Sequence, residues 1–184
     1  MKRTLITACF TVIVASVLLG VAAKPAQATE VGYGRKFGLG FVLGDPTGLS
    51  GKYWVGSTNS LDFGLGFWGY GFRDRCWYDN AGNAHCDQFG YSNGTLNVDY
   101  LWQSNLVRGQ AQLDWHIGGG GRVLWFGGCT GSCFAAAARM PIGLDLMFAN
   151  PGFIEIFAEL APAFYIVPGL GFEIEGGLGV RFYF

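Results

Sequence analysis

Charge is scarce in this chain: Asp, Glu, Lys and Arg supply only 14% of 184 residues, too little to cover a soluble domain of this length with water-facing groups. A basic surplus is also missing, with 12 Lys and Arg against 13 Asp and Glu, which excludes a nucleic-acid-binding surface built on a basic patch. Beyond residue 28 no apolar run reaches the ~18 residues of a membrane-crossing helix, because glycines and charges interrupt every candidate. Histidine is limited to two residues, and position 118, which could have set a serine on the face of Asp114 and His116, is Gly. That stretch therefore offers a dyad without a nucleophile, and His116 reads as a partnered interior residue. What is plentiful is glycine, 31 residues, beside 16 Phe, 8 Tyr and 6 Trp. Gly-rich chains are commonly disordered and aromatic-rich ones packed, so a regular structure must be ordering the glycines.

The first 28 residues stand apart. Lys2 and Arg3 precede an apolar run over residues 5–23, and Ala26-Gln27-Ala28 supplies small residues for cleavage before Thr29. This predicts an export signal at 1–28. Its rivals are an uncleaved helical anchor and lipid attachment at Cys9, for which the preceding apolar stretch is too short. The remaining segment, 29–184, carries nine Lys and Arg against 13 Asp and Glu, a net charge of −4.

Along that segment the apolar residues recur every second position. In "FIEIFAELAPAFYIV", residues 153–167, Ile154, Ile156, Leu160, Phe164 and Ile166 share one face and Glu155 and Glu159 the other. A helix would scatter the glutamates, whereas a strand collects them. Seven further segments repeat the pattern: "YGRKFGLGFVL", "LSGKYWVG", "LDFGLGFWGYGF", "TLNVDYLWQ", "QAQLDWHIGGGGRVLWF", "FAAAARMPIGLDLMF" and a last strand ending in "GGLGVRFYF". A soluble sandwich or a lipocalin-like barrel would show the same alternation with its apolar face inward. The small charged set and the aromatics toward strand ends (Tyr53, Tyr100, Trp102, Trp115, Trp125, Phe148, Phe184) favour the opposite polarity. The expectation is an all-β fold, an eight-stranded antiparallel up-and-down transmembrane β-barrel over 29–184, in the outer membrane of a Gram-negative-type bacterium.

Connection lengths set its orientation. Short inner turns are expected at 57–60, 104–109 and 149–152, and outer connections at 44–48, 73–93, 127–133 and 169–171, with a 21-residue loop at 73–93. Of the cysteines, Cys76 and Cys86 fall in one outer connection and Cys129 and Cys133 in another. Local pairing, Cys76 with Cys86 and Cys129 with Cys133, is the simplest of three connectivities for an exported chain. Cross-loop pairing and a zinc site including His85 are the alternatives, though the spacings match no metal motif.

"GDPTGLSGKYW", "PIGLDLMF", "FIEIFAELAPAFYIVP" and "GLGVRFYF" resemble a family of small outer-membrane β-barrels of proteobacteria and spirochaetes, OmpX-like and related in architecture to the OmpA membrane domain. The resemblance covers nearly all of 29–184, with the cysteine-bearing 73–93 peculiar to this chain. It implies that Val180, Phe182 and Phe184 form a C-terminal signal read by the barrel-assembly machinery.

Eight strands leave an interior only wide enough for side chains. The inward set reads as Lys36, Lys52, Arg122, Arg139 and Arg181 against Asp62, Asp99, Asp114, Asp145, Glu155, Glu159, Glu173 and Glu175. Charges in a narrow interior must pair, and strand adjacency points Arg139 to Glu155 or Glu159 and Arg181 to one of the same glutamates. In-strand glycines should make room for large inward neighbours such as Trp68 and Tyr70. Three functions fit: a noncatalytic structural or surface-interaction barrel acting through 73–93, a narrow cation-preferring channel, and a lipid-modifying barrel enzyme. The first is expected, with no cofactor. Its partners would be outer-membrane lipid, the assembly machinery and an extracellular ligand or envelope protein.

Overall fold

A computed structural model describes the backbone of residues 34–78, 84–109, 111–127, 133–148 and 152–184, with side chains at 72–78 and 84–89 left aside. The expected export signal at 1–28 lies outside the described residues. Ten strands occur in chain order: β1 (Phe37–Asp45), β2 (Thr47–Trp54), β3 (Asn59–Tyr78), β4 (Ala84–Ser92), β5 (Gly94–Val107), β6 (Ala111–Trp125), β7 (Phe134–Arg139), β8 (Ile142–Phe148), β9 (Ile154–Val167) and β10 (Gly171–Tyr183). All pair antiparallel, and β10 pairs back onto β1 from Gly38↔Tyr183 to Asp45↔Gly176, so the sheet closes on itself. Only one residue separates β4 from β5, and β7 and β8 both lie between β6 and β9, which reduces ten segments to a ring of eight.

Two interruptions depart from the expected strands. The single strand over 134–148 breaks at Met140 and Pro141, where proline has no N–H to give a ladder. Because two residues are skipped, the alternation keeps its phase and Arg139 and Asp145 still share the inner face. In β3 the register with β2 jumps from Gly48↔Gly66 to Thr47↔Trp68, leaving Phe67 as an extra residue. This bulge reverses the phase of the rest of β3. Trp68 and Tyr70 consequently face outward, where both ring-pair with Tyr91 (centroids 5.1 and 5.3 Å), and the reading of them as inward residues is corrected. Gly69 turns inward instead; a Cβ there would lie 2.8 Å from an Arg122 Nη2.

The segment expected as a 21-residue loop at 73–93 is largely strand. β3 runs on to Tyr78 and pairs with β4 from Gly69↔Ser92 to Tyr78↔Ala84, beyond the last β3–β5 pair at Gly66↔Thr95. The hairpin extends past the wall of the ring at one end, here the hairpin rim; the chain termini of the ring lie at the other, the terminal rim.

Burial follows the two-residue period with its polarity inverted. In β9 Glu155 is 0% exposed while Leu160 is 62% exposed, and Leu43, Phe67, Ile166, Ile174 and Leu178 are similarly open on the outer face. Lys52, Asp62, Asp99, His116, Arg122, Arg139, Asp145, Glu175 and Arg181 are buried inside. The interior also holds two apolar layers. Leu124, Phe126, Ala135, Ala137, Ala163 and Tyr165 cluster toward the hairpin rim, and Trp54, Met147 and Tyr183 toward the terminal rim.

Candidate functional site: the charged interior

Each interior lysine and arginine comes from a different strand, and alternation alone aims it inward: Lys52 from β2, Arg122 from β6, Arg139 from β7 and Arg181 from β10. Together with the acids they form one continuous chain of opposite charges. Near the hairpin rim Arg122 meets Glu175 at 2.5 Å and Asp45 at 2.7 Å, while its Nε donates to Thr95 Oγ1 at 3.0 Å. Glu175 continues to Arg139 at 3.6 Å, and Arg139 reaches Asp99 at 3.3 Å and Glu159 at 2.5 Å. Glu159 faces His116 Nε2 at 3.3 Å, and His116 Nδ1 faces Asp145 at 2.8 Å. Asp145 then pairs with Lys52 at 3.1 Å, Lys52 with Glu155 at 3.4 Å, Glu155 with Arg181 at 2.7 Å and Arg181 with Asp62 at 2.6 Å.

This arrangement meets the demand of burial. An unpaired charge in a narrow, poorly hydrated space is strongly unfavourable, and a carboxylate shared between two cations satisfies more of its lone pairs than an isolated pair could. Both ring nitrogens of His116 face carboxylate oxygens, so the imidazolium is the form that donates to both. Room for that ring comes from Gly143, where a Cβ would sit 2.5 Å from His116 Cε1 and 2.4 Å from the Ala158 carbonyl oxygen. Neutral groups extend the network: Ser50 Oγ accepts from Arg181 Nε at 2.8 Å, and Tyr183 donates its hydroxyl to Glu155 at 2.7 Å, while Asp62 Oδ1, Asp99 Oδ1 and both Glu175 oxygens are held by charge alone, without a hydrogen bond of good geometry among the described residues. The Arg181 guanidinium also lies 3.7 Å from the Phe157 ring centroid.

Two expected members are placed differently. Lys36 precedes β1 and is exposed at the terminal rim, because the inner face of β1 begins at Gly38 and the wall does not extend far enough to cover it. Asp114 is buried yet stands off the ion chain: the side-chain amides of Asn105 (2.7 Å) and Gln112 (2.8 Å) donate to it. Nor does Asp114 touch His116, whose partners are Asp145 and Glu159, so the sequence-level dyad of Asp114 and His116 does not form. The pairs expected for Arg139 and Arg181 resolve as Arg139 with Glu159 and Arg181 with Glu155.

Asp45, Tyr183 and the apolar layers are absent from the inward set read from sequence. Asp45 sits in a turn by sequence, but Tyr183, Trp54 and Leu124 could have been found by carrying the alternation two residues past Arg181, Lys52 and Arg122. A cavity among the described residues, lined in part by Asp62, Asn97, Arg139, Glu159 and Arg181, measures about 30 Å³, room for about one water.

Outside the interior, Cys76 and Cys86 occupy directly opposed positions of β3 and β4. Cys129 lies outside the described residues, and the expected pairing with Cys133 does too. Phe182 and Phe184 face outward at the closing strand, Val180 is half-buried, and the Phe184 N–H donates to the Phe37 carbonyl at 2.8 Å. Comparison with family models, with curated proteins and with solved structures finds no match, so the likeness to small outer-membrane barrels rests on the quoted motifs alone.

Proposed function

We propose that this chain is a noncatalytic, eight-stranded outer-membrane β-barrel with a plugged interior, acting in the envelope as a structural element or through its projecting hairpin. The observation that carries the reading is the inverted polarity: long aliphatic and aromatic side chains cover the outside of the ring, and nearly all the described carboxylates and guanidinium groups are withdrawn from it. Water would be a poor solvent for that outer face, which far exceeds the few hundred Å² of apolar patch usual on a soluble monomer. Hydrocarbon suits it, and ring closure leaves no sheet edge to be satisfied within the bilayer. Aromatics near both rims, Trp68, Tyr91, Trp125 and Phe172 at one and Tyr53, Phe153, Phe182 and Phe184 at the other, fit interfacial girdles.

The plugged reading rests on the ion chain and the two apolar layers across it. A narrow cation channel would need a wet path, and the interior cavity is about one water in size. Surface interaction is assigned to the β3–β4 hairpin, and the opposed positions of Cys76 and Cys86 favour a disulfide that stiffens it. Val180, Phe182 and Phe184 are proposed as the signal for the assembly machinery.

The test is reconstitution into lipid vesicles followed by electrophoresis with and without boiling. A closed barrel runs at a different mobility before boiling, resists added protease except in the hairpin, and gives no discrete conductance in planar bilayers. One band regardless of boiling, with full digestion, would overturn the proposal.

A further inference from the structure

The two rims differ in charge. At the terminal rim the described residues of the connecting segments, 34–36, 55–58, 108–109 and 152–153, include Arg35, Lys36 and Arg108 and no acidic side chain. At the hairpin rim lie Asp45 and Glu173, both against Arg122. The terminal rim also has a cavity of about 260 Å³, lined by Gly34, Lys36, Trp54, Val55, Gly56 and Ser57. Its geometry is fixed locally: Trp54 donates its backbone N–H to the Lys36 carbonyl at 2.9 Å, and the Arg35 guanidinium lies 5.8 Å from the Phe153 ring centroid. Trp54 is 1% exposed, and its indole N–H meets no acceptor among the described residues. A buried donor without a partner and the Lys36 ammonium lining the same cavity call for an anionic oxygen.

We propose that this cavity is a headgroup site for an anionic phospholipid, with the phosphate held by Lys36, flanked by Arg35, and completed by the Trp54 indole N–H. An amphiphile fits better than a free phosphate because the same rim carries outward Phe37, Tyr53, Phe153 and Phe184. Those rings would lie at the boundary between acyl chains and headgroups, setting the depth at which a lipid phosphate meets Lys36. The inference rests on the membrane-spanning reading above.

The test uses the full chain, folded in detergent, with native mass spectrometry against phosphatidylglycerol, phosphatidylcholine and glycerol phosphate. The expected result is preferential retention of phosphatidylglycerol, falling about thirtyfold in an Arg35→Gln, Lys36→Gln variant, as two surface cations near a lipid phosphate would give. Trp54→Phe, which keeps the ring and removes the N–H, should reduce retention further. Equal retention of the two lipids by the native chain, an unchanged preference in the double variant, or competition by glycerol phosphate as strong as by lipid would overturn the site. Heat-dependent gel mobility of the same samples separates the cases: native mobility shift with no lipid preference sinks this inference alone, whereas absence of the shift sinks the membrane reading beneath it.

Discussion

Arg181 is the interior cation whose loss should be felt most clearly. It forms an ion pair with Asp62 at 2.6 Å, hydrogen-bonds Glu155 at 2.7 Å and Ser50 at 2.8 Å, and lies 3.7 Å from the Phe157 ring centroid. Arg181→Met keeps most of the volume and removes the charge. Glu155 retains Lys52 and the Tyr183 hydroxyl, but Asp62 loses the only ion-pair partner found for it among the described residues. Breaking a buried pair from one side costs about 3–5 kcal/mol, because the other charge is left behind. At about 2–4 °C per kcal/mol for a chain of this size, the folded band should convert to the unfolded one roughly 6–20 °C lower in a heating series run by gel electrophoresis. Arg181→Met combined with Asp62→Asn should regain at least half of that loss, since both ends of the pair are then neutral. Lys36→Met, at the rim, should leave the midpoint in place. A single variant that melts within about 2 °C of the native chain, or a double variant worse than the single, would refute the idea that paired charges hold the interior.

Other outcomes follow from the same geometry. Gly143→Ala forces a methyl group against the His116 ring and the Ala158 carbonyl, and should destabilise by about 1–3 kcal/mol, read as a lower midpoint in the same heating series. Cys76→Ser should make the protein insensitive to reductant at the hairpin and cost it about 2–3 kcal/mol of local restraint, read as faster proteolytic nicking near residue 80 under nonreducing conditions. Deleting residues 73–92 and joining the ends with a short turn should leave heat-dependent mobility intact while abolishing binding to any surface ligand. Removing Phe184 should slow folding into vesicles in the presence of purified assembly machinery while changing spontaneous folding far less.

The strand pattern was legible because its period is exact in residues: "FIEIFAELAPAFYIV" puts Glu155 and Glu159 on one side wherever the strand happens to end. Partner choice was legible only in part. Adjacency of β9 with β7 and β10 leads to Glu159 for Arg139 and Glu155 for Arg181, but contacts across the interior, such as Lys52 with Asp145 or Arg122 with Asp45, depend on the ring's cross-section, which no local pattern records. The bulge at Phe67 was invisible for a similar reason, since both phases of "GLGFWGYG" offer glycines and aromatics alternately. In the hairpin the polar run "RDRCWYDNAGNAHCDQ" looks like a loop, yet backbone pairing there needs no apolar face.

The pairing of β1 with β10 brings Gly38 beside Tyr183, so the first and last strands are mutual neighbours although the whole wall separates them along the chain. Synthesis delivers such a polypeptide from one end, and until the final dozen residues arrive the sheet can only be an open ribbon with two unsatisfied borders. Contacts of this sequence span form slowly and leave those borders available to aggregation in the meantime. Closing the seam is therefore the longest-range pairing the fold has to make, and the ring has no free border only once it is made.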